Sequence, residues 1–302
     1  MTQDQRIAQL LLETGAYKDL QEPVILTSGE LGIYYINTEK LAQDKGEWEK
    51  YGDNADALIK HACKTAKEKP LFKETIEIIA QKAQEYIDIN GSVAIAGGQR
   101  RDWLFSGPVA ETLNLPHVSL YKDGRIELKK PEEESAPTSS LNNFTILHIV
   151  DLIAEGSSIY RKELAQEHGW VPMLRSAGAH ISDIVAIVSR KQGGEESLAN
   201  QRVIVHPFVT IDETFLRQYS TNPQQAAAYF SNPTQWSQSY LKEHGVAALI
   251  NTFDPNNAKL ERAQKFLRRY HTILEQSEQL DSLRHTVQTR YGYSLDRLRE
   301  GK

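Results

Sequence analysis

The stretch FTILHIVDLIAEGSS, residues 144–158, decides the fold. Apolar and β-branched residues run as far as Val150, which is typical of a buried strand, and Asp151 stands where that strand ends. The Gly-Ser-Ser at 156–158 predicts a tight turn and the start of a helix that continues through Leu164. Backbone N–H groups and the positive end of a helix dipole converge at such a turn, which favours an anion. With Asp151 placed to hold ribose hydroxyls, the pattern predicts a sugar-phosphate site; the alternative is an ordinary strand–turn–helix connection with a serine cap.

Further apolar segments follow the same plan on either side of this stretch. Strands are predicted over residues 93–96, 118–121, 184–188 and 203–209, with helical segments between them. This alternation predicts an α/β fold with a parallel sheet, in which ligands bind at the carboxyl ends of the strands. Those ends carry Gly97-Gly98, Tyr121-Lys122, Asp151 and Arg190. Glycine or charge therefore stands at all four ends, which favours a binding site along this edge.

Composition limits the class of protein. The chain has 302 residues, a net charge of −5 and one cysteine, Cys63, so neither a disulfide framework nor a cysteine-based metal cluster is expected. The acidic balance argues against nucleic acid as a partner. No apolar run of 18 residues occurs, and the N-terminus lacks a signal-peptide pattern, which predicts a cytoplasmic protein that does not bind a membrane.

The rest of the chain is predicted to be mainly helical. Helices are expected over residues 4–14 and 53–87, with a break near Pro70. Residues 223–244 are expected to contain short helical pieces, and residues 23–37 two short strands. Residues 129–143 are charged and rich in Pro and Ser without apolar periodicity, which predicts a mobile loop. From Asp254 onward, apolar residues recur every three or four positions, which predicts one long helix packing on the core or on a second subunit.

Three segments, in this order along the chain, resemble the orotate phosphoribosyltransferases. LLLETGAYKDLQEPVILTSGELGIYYINTEKL, from Leu10, resembles the N-terminal hood of that family, and FTILHIVDLIAEGSS resembles its phosphoribosyl-pyrophosphate (PRPP) signature. SAGAHISDIVAIVSRKQGG, from Ser176, resembles the segment that carries the orotate-binding arginine. The resemblance implies a type I phosphoribosyltransferase domain over residues 1–216, with a small hood over about residues 1–45. Residues 217–302 would form a helical C-terminal extension.

The resemblance also implies an activity and a set of site residues. The reaction joins orotate to PRPP with Mg²⁺ and releases pyrophosphate, in a homodimer whose mobile loop reaches the partner's site; no metal site made of protein side chains is implied. Catalytic roles fall on Lys122, Asp151 and Arg125. Substrate-binding roles fall on Ala154, Glu155, Gly156, Ser157 and Ser158 for the 5-phosphate, on Arg190, Tyr34 and Tyr35 for the base, and on Gly97, Gly98, Arg100 and Arg101 for pyrophosphate.

Several positions depart from the family pattern. Val150 replaces the first of two adjacent acids, and Ala154 and Glu155 replace a pair of threonines; Thr27 replaces a hood lysine. A carboxylate at position 155 would repel a phosphate dianion. The sequence therefore predicts weak PRPP binding and slow or absent turnover with orotate. The alternatives are a non-catalytic PRPP-fold protein that binds a nucleotide for regulation or assembly, and a phosphoribosyltransferase for another base.

Overall fold

A computed structural model describes residues 1–26, 29–87, 91–163, 166–255, 260–276 and 279–300. Thr27 and Leu164, to which the sequence predictions extend, lie outside the described residues. The chain divides into two compact units. The first contains Met1–Tyr17 and Asn37–Ile211, and the second contains Lys18–Ile36 and Asp212–Lys302.

Strands and helices alternate along most of the first unit, whereas helices dominate the C-terminal part of the chain. The strands are β1 (Tyr17–Ile25), β2 (Leu31–Ile36), β3 (Ser92–Gly98), β4 (His117–Leu120), β5 (Ile126–Lys129), β6 (Ala136–Pro137), β7 (Phe144–Ile153), β8 (Arg161–Glu163), β9 (Gln166–His168), β10 (His180–Ser189) and β11 (Ile204–Thr210). The α-helices are α1 (Gln3–Glu13), α2 (Ala55–Glu68), α3 (Pro70–Gln84), α4 (Trp103–Leu113), α5 (Trp170–Ser176), α6 (Gly194–Ala199), α7 (Glu213–Tyr219), α8 (Pro223–Ser231), α9 (Pro233–His244), α10 (Leu260–Gln276), α11 (Gln279–Tyr291) and α12 (Leu295–Glu300). Among the described residues, 3-10 helices cover Thr38–Ala42, Glu47–Tyr51 and Ala247–Phe253. In the described part of the chain, no helix is both long and apolar enough to cross a bilayer.

The first unit is built on a seven-stranded sheet of order β11-β10-β7-β3-β4-β5-β6. The first five strands in that order run parallel, whereas β5 and β6 pair antiparallel at the edge. The inner strands are apolar along their length because helices cover a parallel sheet; Ile149, Ile184 and Ala94 are among their buried residues. The predicted α/β fold with a mostly parallel sheet is therefore confirmed, and Asp151 lies near the carboxyl end of β7.

The segment after β7 differs from its prediction. A turn over residues 154–160 follows β7, and the chain then forms the β8–β9 hairpin before α5 begins at Trp170. Gly156 has a φ of +73°, and its carbonyl accepts the N–H groups of Ile159 and Tyr160 at 2.9 Å each. The prediction of a helix beginning at residues 156–158 is therefore wrong, because this closed turn directs the chain into a hairpin.

The segment 129–143, predicted as a loop, contains a short edge strand. In β6, Ala136 pairs with Leu128 of β5, and the N–H of Thr138 donates to the carbonyl of Ile126 at 2.9 Å. Pro137 tolerates this position because proline, which has no N–H, is accommodated on edge strands. The rest of the segment has neither helix nor strand beyond Lys129.

The second unit joins the β1–β2 hairpin to the C-terminal helices through one apolar core. Ile25 and Leu31 from the hairpin are buried with Phe266, Tyr270 and Leu283 from the helices. The sequence assigned this hairpin to a hood over residues 1–45, whereas its buried side chains pack with the extension. The long helix predicted from Asp254 does not begin there, because Asp254 and Pro255 are not helical. The described residues form α10 and α11, and residues 277–278 between them lie outside the described part of the chain. The predicted apolar stripe is nonetheless buried in both.

Candidate functional site

A cleft of about 460 Å³ lies at the carboxyl ends of β3, β4 and β7. Parallel neighbouring strands bring their carboxyl ends to one edge, so side chains distant in sequence meet there. The lining residues are Trp48, Asp53, Gln99, Arg100, Arg101, Asp102, Lys122, Val150, Asp151, Leu152, Ser158, Ile159 and Trp170. The cleft thus unites four of the predicted site residues with Asp151 itself.

The Asp151 carboxylate is held from two sides. The hydroxyl of Thr38, which is fully buried, donates to Oδ2 of Asp151 at 2.6 Å. The guanidinium of Arg101 lies 3.5 Å from the same oxygen. Because the carboxylate is itself only slightly exposed, these two contacts give it one orientation at the cleft wall. A carboxylate held in this way is suited to accept hydrogen bonds from a pair of vicinal hydroxyls.

Asp102, immediately before α4, joins two strand ends. Its Oδ2 accepts the N–H of Gly98 at 3.1 Å, and its Oδ1 accepts the N–H of Asp151 at 3.0 Å. Burial, and then the charge of the nearby Asp151, raise the pKa of the Asp102 carboxyl well above its usual value. The sequence placed Asp102 in a loop expected to face an anion but gave its side chain no role of its own, since nothing in the local pattern shows where that side chain points.

The loop from Gln99 to Arg101 brings two guanidinium groups to the cleft. The side-chain oxygen of Gln99 accepts the backbone N–H of Lys122 at 2.8 Å, and the backbone N–H of Gln99 donates to the carbonyl of Leu120 at 2.9 Å. Arg100 lies over the Trp48 ring, with 5.2 Å between the guanidinium carbon and the ring centroid. Arg101 is about half exposed. The loop therefore presents positive charge beside Asp151, as an anionic ligand requires.

The turn over residues 154–158 leaves N–H groups available. The N–H of Gly194 donates to the carbonyl of Ala154 at 3.0 Å, and a Cβ at Gly156 would lie 3.0 Å from the Cα of Gly194. No backbone carbonyl of the described residues accepts from the N–H groups of Gly156, Ser157 or Ser158. A turn that presents successive N–H groups in this way is able to hold an anion without a helix.

Only part of this turn faces the cleft. Ser158 lines it, and Ser157 and Ser158 line a neighbouring cleft of about 550 Å³, which also contains Lys122 and Trp170. The side chain of Glu155 is exposed and lines neither cleft. The repulsion that the sequence predicts requires this carboxylate to point at the phosphate, and an exposed side chain has room to turn to solvent instead.

The two glycines that end β3 leave space for large side chains. A Cβ at Gly97 would lie 2.1 Å from Oγ of Ser106, and a Cβ at Gly98 would lie 2.2 Å from Nε1 of Trp170. Both contacts are too short for real carbon atoms. These glycines therefore serve packing around the cleft, and Trp170 is able to form its wall because position 98 has no side chain.

Two histidines of the sheet, His148 in β7 and His117 at the start of β4, are neutral. His148 and His117 are both buried, and burial lowers the pKa of each to about 3. His117 contacts the hydroxyl of Ser106 at 2.9 Å and that of Ser119 at 3.2 Å.

Other predicted site residues lie elsewhere. Arg125 is exposed, pairs with Asp123 at 2.8 Å and lines neither of these two clefts. Arg190 follows β10, and its N–H donates to the carbonyl of Ile153 at 2.8 Å, but its side chain is not part of the lining either. In the second unit, Tyr34 is buried against Tyr229, whereas Tyr35 is exposed, so the two adjacent tyrosines face opposite sides of β2.

Several residues that shape the cleft were not predicted from the sequence. Thr38, Trp48 and Asp53 come from a segment about a hundred residues before Asp151, and Trp170 comes from beyond the unpredicted hairpin. The two tryptophans were the available signal, since the chain has only four. Within the described ranges, no group of three or more His, Cys, Asp or Glu side chains is arranged to hold a metal ion.

The chain is similar in sequence to one kind of phosphoribosyltransferase, although no family model matches it. A stretch of 139 residues is 27% identical to the adenine phosphoribosyltransferase of Aeromonas salmonicida (strain A449), covering 42% of this chain and 70% of that protein. This similarity agrees with the resemblance of three sequence segments to a family of type I phosphoribosyltransferases.

Solved structures with a similar arrangement include phosphoribosyltransferases of two kinds. The orotate phosphoribosyltransferase of Aeropyrum pernix is 18% identical, with a TM-score of 0.44, over 70% of this chain and 98% of that chain. The orotate phosphoribosyltransferase of Francisella tularensis is 13% identical, with a TM-score of 0.46, over 75% of this chain and 96% of that chain. The adenine phosphoribosyltransferase of Thermoanaerobacter pseudethanolicus is 16% identical, with a TM-score of 0.38, over 60% of this chain and 89% of that chain.

Proposed function

We propose that this protein is a phosphoribosyltransferase that transfers the 5-phosphoribosyl group of PRPP to a nitrogenous base. One observation carries the proposal. Asp151 is held near a strand end by Thr38 and Arg101, in a cleft that is also lined by Arg100 and by Ser158 of the turn over residues 154–158. A carboxylate, cationic side chains and a turn with available N–H groups are the three kinds of group that a phosphorylated sugar diphosphate needs.

Each group of residues in the cleft is suited to a different part of PRPP. Asp151 would accept hydrogen bonds from the ribose hydroxyls, and the turn at 156–158 would hold the 5-phosphate through backbone N–H groups. Arg100 and Arg101 would pair with diphosphate oxygens, for which a planar guanidinium is well suited. These assignments follow the sequence resemblance, and the cleft lining supports those of Asp151, Ser158 and the two arginines.

The chemistry follows from this placement. A ring nitrogen of the base attacks the anomeric carbon, the bond from that carbon to the diphosphate oxygen breaks, and diphosphate leaves with the electron pair. Negative charge grows on the leaving oxygens, so Arg100, Arg101 and Lys122 would stabilise the transition state. The proton of the base nitrogen passes to solvent. The hydroxyl of Thr38 keeps Asp151 oriented throughout.

Magnesium fits this site as a companion of the diphosphate. Mg²⁺ keeps several waters and is held through one or two carboxylates together with substrate phosphates. Asp151 and Asp53 are carboxylates that line the cleft, so they would be the protein ligands available to it. When bound, the ion would neutralise charge on the diphosphate.

The acceptor has two candidates. Orotate is favoured by the three segments that resemble orotate phosphoribosyltransferases. Adenine is favoured by the Aeromonas salmonicida relative, whose name gives adenine as its base. A homodimer is part of the proposal, since the resemblance implies that the loop beyond Lys122 acts at the partner's site.

The test is to incubate the protein with PRPP, Mg²⁺ and each base in turn, and to measure pyrophosphate release. The matched variant is Asp151→Asn, which keeps the shape and removes the charge. We expect release with one base in the wild type and at least about a tenfold loss in the variant, which corresponds to ~1.4 kcal/mol. PRPP binding that needs Asp151 but gives no release with any base would indicate the regulatory or assembly protein. Absence of PRPP binding at millimolar concentration would refute the assignment.

A further inference from the structure

Asp102 is the buried acid of the cleft that the proposed reaction does not use. Its two carboxylate oxygens accept N–H groups from two different strands, Gly98 of β3 and Asp151 of β7. The paired register of these strands runs from Ser92 and Phe144 as far as Ala96 and His148. Beyond that pair the strands no longer bond to each other, and the Asp102 carboxylate supplies the acceptors that the ladder no longer provides.

A simple capping role does not account for this side chain. Asp102 occupies the N-cap position of α4, where an aspartate ordinarily accepts an N–H from the first turn of the helix. Here no such side-chain bond is formed, and the backbone of Asp102 is itself helical. The carboxylate instead lies between the two strand ends, where its oxygens accept hydrogen bonds from the backbone N–H groups of Gly98 and Asp151.

The contacts also link two parts of the cleft. Arg100, Arg101 and Asp102 are consecutive, so the bridging carboxylate directly follows the two arginines of the loop. The guanidinium of Arg101 lies 3.5 Å from Oδ2 of Asp151, while Oδ1 of Asp102 accepts the backbone N–H of Asp151 at 3.0 Å. Position 150, next to Asp151, is a buried valine and provides no acceptor. Asp151 is therefore fixed at its backbone by one member of the loop and contacted at its side chain by the next.

We propose that Asp102 is a positioning residue. Its carboxylate joins the ends of β3 and β7, an arrangement called the clamp below, and thereby holds the arginine loop (Gln99 to Arg101) beside the Asp151 carboxylate. The inference rests on the proposed function for its effect on PRPP, because the groups it aligns are those assigned to diphosphate and ribose. The clamp itself is a property of the backbone and is measurable without any ligand.

The first experiment measures the clamp alone. Asp102→Asn keeps the shape but offers only one acceptor oxygen for two N–H groups. Hydrogen exchange should accelerate at least about tenfold at the amides of Gly98 and Asp151, since an unpaired amide opens more readily. Asp183→Asn, at the opposite end of the sheet on β10, is the matched control and should leave both amides unchanged. Unchanged exchange at Gly98 and Asp151 in Asp102→Asn would overturn the proposal, whether or not PRPP binds.

The second experiment measures alignment through PRPP affinity. We expect Asp102→Asn and Arg101→Gln each to weaken PRPP binding by about tenfold, and the double variant to weaken it by clearly less than the product of the two, because the clamp acts through the loop. A multiplicative loss would show that Asp102 does not act through Arg101, and would overturn the proposal. If Asp102→Asn fails to fold, Asp102→Glu, which keeps both oxygens but moves them, replaces it in both experiments. Failure of the wild type to bind PRPP would refute the proposed function, while the exchange result would still decide the clamp.

Discussion

Replacing Gly98 by alanine tests how the cleft wall is packed. The added methyl group would lie 2.2 Å from Nε1, 2.4 Å from Cε2 and 2.9 Å from Cδ1 of Trp170. Ordinary contact distances begin at 3.4 Å, so the indole must move by more than about 1 Å. The ring is buried, and the backbone N–H of Trp170 donates to the carbonyl of Ser158, so the displacement should be transmitted to the turn over residues 154–158.

The expected cost follows from overpacking. Forcing a methyl group into a filled core costs about 1–3 kcal/mol. For a unit of this size we expect a fall in melting temperature of about 2–4 °C per kcal/mol. The assay is thermal and urea unfolding followed by circular dichroism, with PRPP affinity measured in parallel.

A compensating variant makes the test specific. Trp170→Phe removes the indole atoms nearest to the added methyl group, so the pair Gly98→Ala with Trp170→Phe should be more stable than the sum of the two single effects by about 1 kcal/mol. If Gly98→Ala matches the wild type in stability, or if the pair is simply additive, the packing argument is refuted.

Three further predictions concern pH, charge and assembly. The pKa of both His117 and His148 is lowered to about 3 in the folded protein, so the unfolded chain takes up protons first as the pH falls below about 6.5; the free energy of unfolding should then decrease by about 1.4 kcal/mol per pH unit for each histidine. Urea titrations between pH 7 and pH 4 should show this slope and should show it reduced in His117→Gln, whereas a flat profile would contradict it. Because Glu155 is exposed, Glu155→Gln should change PRPP affinity by less than about threefold, and a tenfold tightening by calorimetry would instead support the repulsion predicted from the sequence. Light scattering at micromolar concentration should show a homodimer, and a monomer would contradict the assembly that the resemblance implies.

Local sequence patterns predicted the parallel strands of the first unit. Runs of apolar residues placed the strands around Gly98 and Asp151, because a strand buried on both faces needs apolar side chains throughout. The same pattern placed Asp151 and Lys122 at strand ends, and parallel neighbours bring those ends together. The buried stripe of the C-terminal helices also followed from periodicity alone.

Local patterns failed where partners distant in sequence decided the outcome. The segment 156–158 has a composition that suits a helix start, but the closure of the turn on the Gly156 carbonyl led to a hairpin. The β1–β2 hairpin joined the C-terminal helices because its apolar side chains found their core there.

For this protein, apolar periodicity was enough to predict the five parallel strands of the sheet and an acid near the carboxyl end of β7. Tertiary structure alone decided that Thr38 orients that acid, that Asp102 bridges two strand ends, and that Trp170 fills the space left by Gly98. Strand formation depends on the pattern of apolar side chains within a few consecutive residues, and this pattern can be read from the sequence. Hydrogen bonds and packing between residues far apart in the chain depend on where the whole sheet brings those groups, which no local pattern contains.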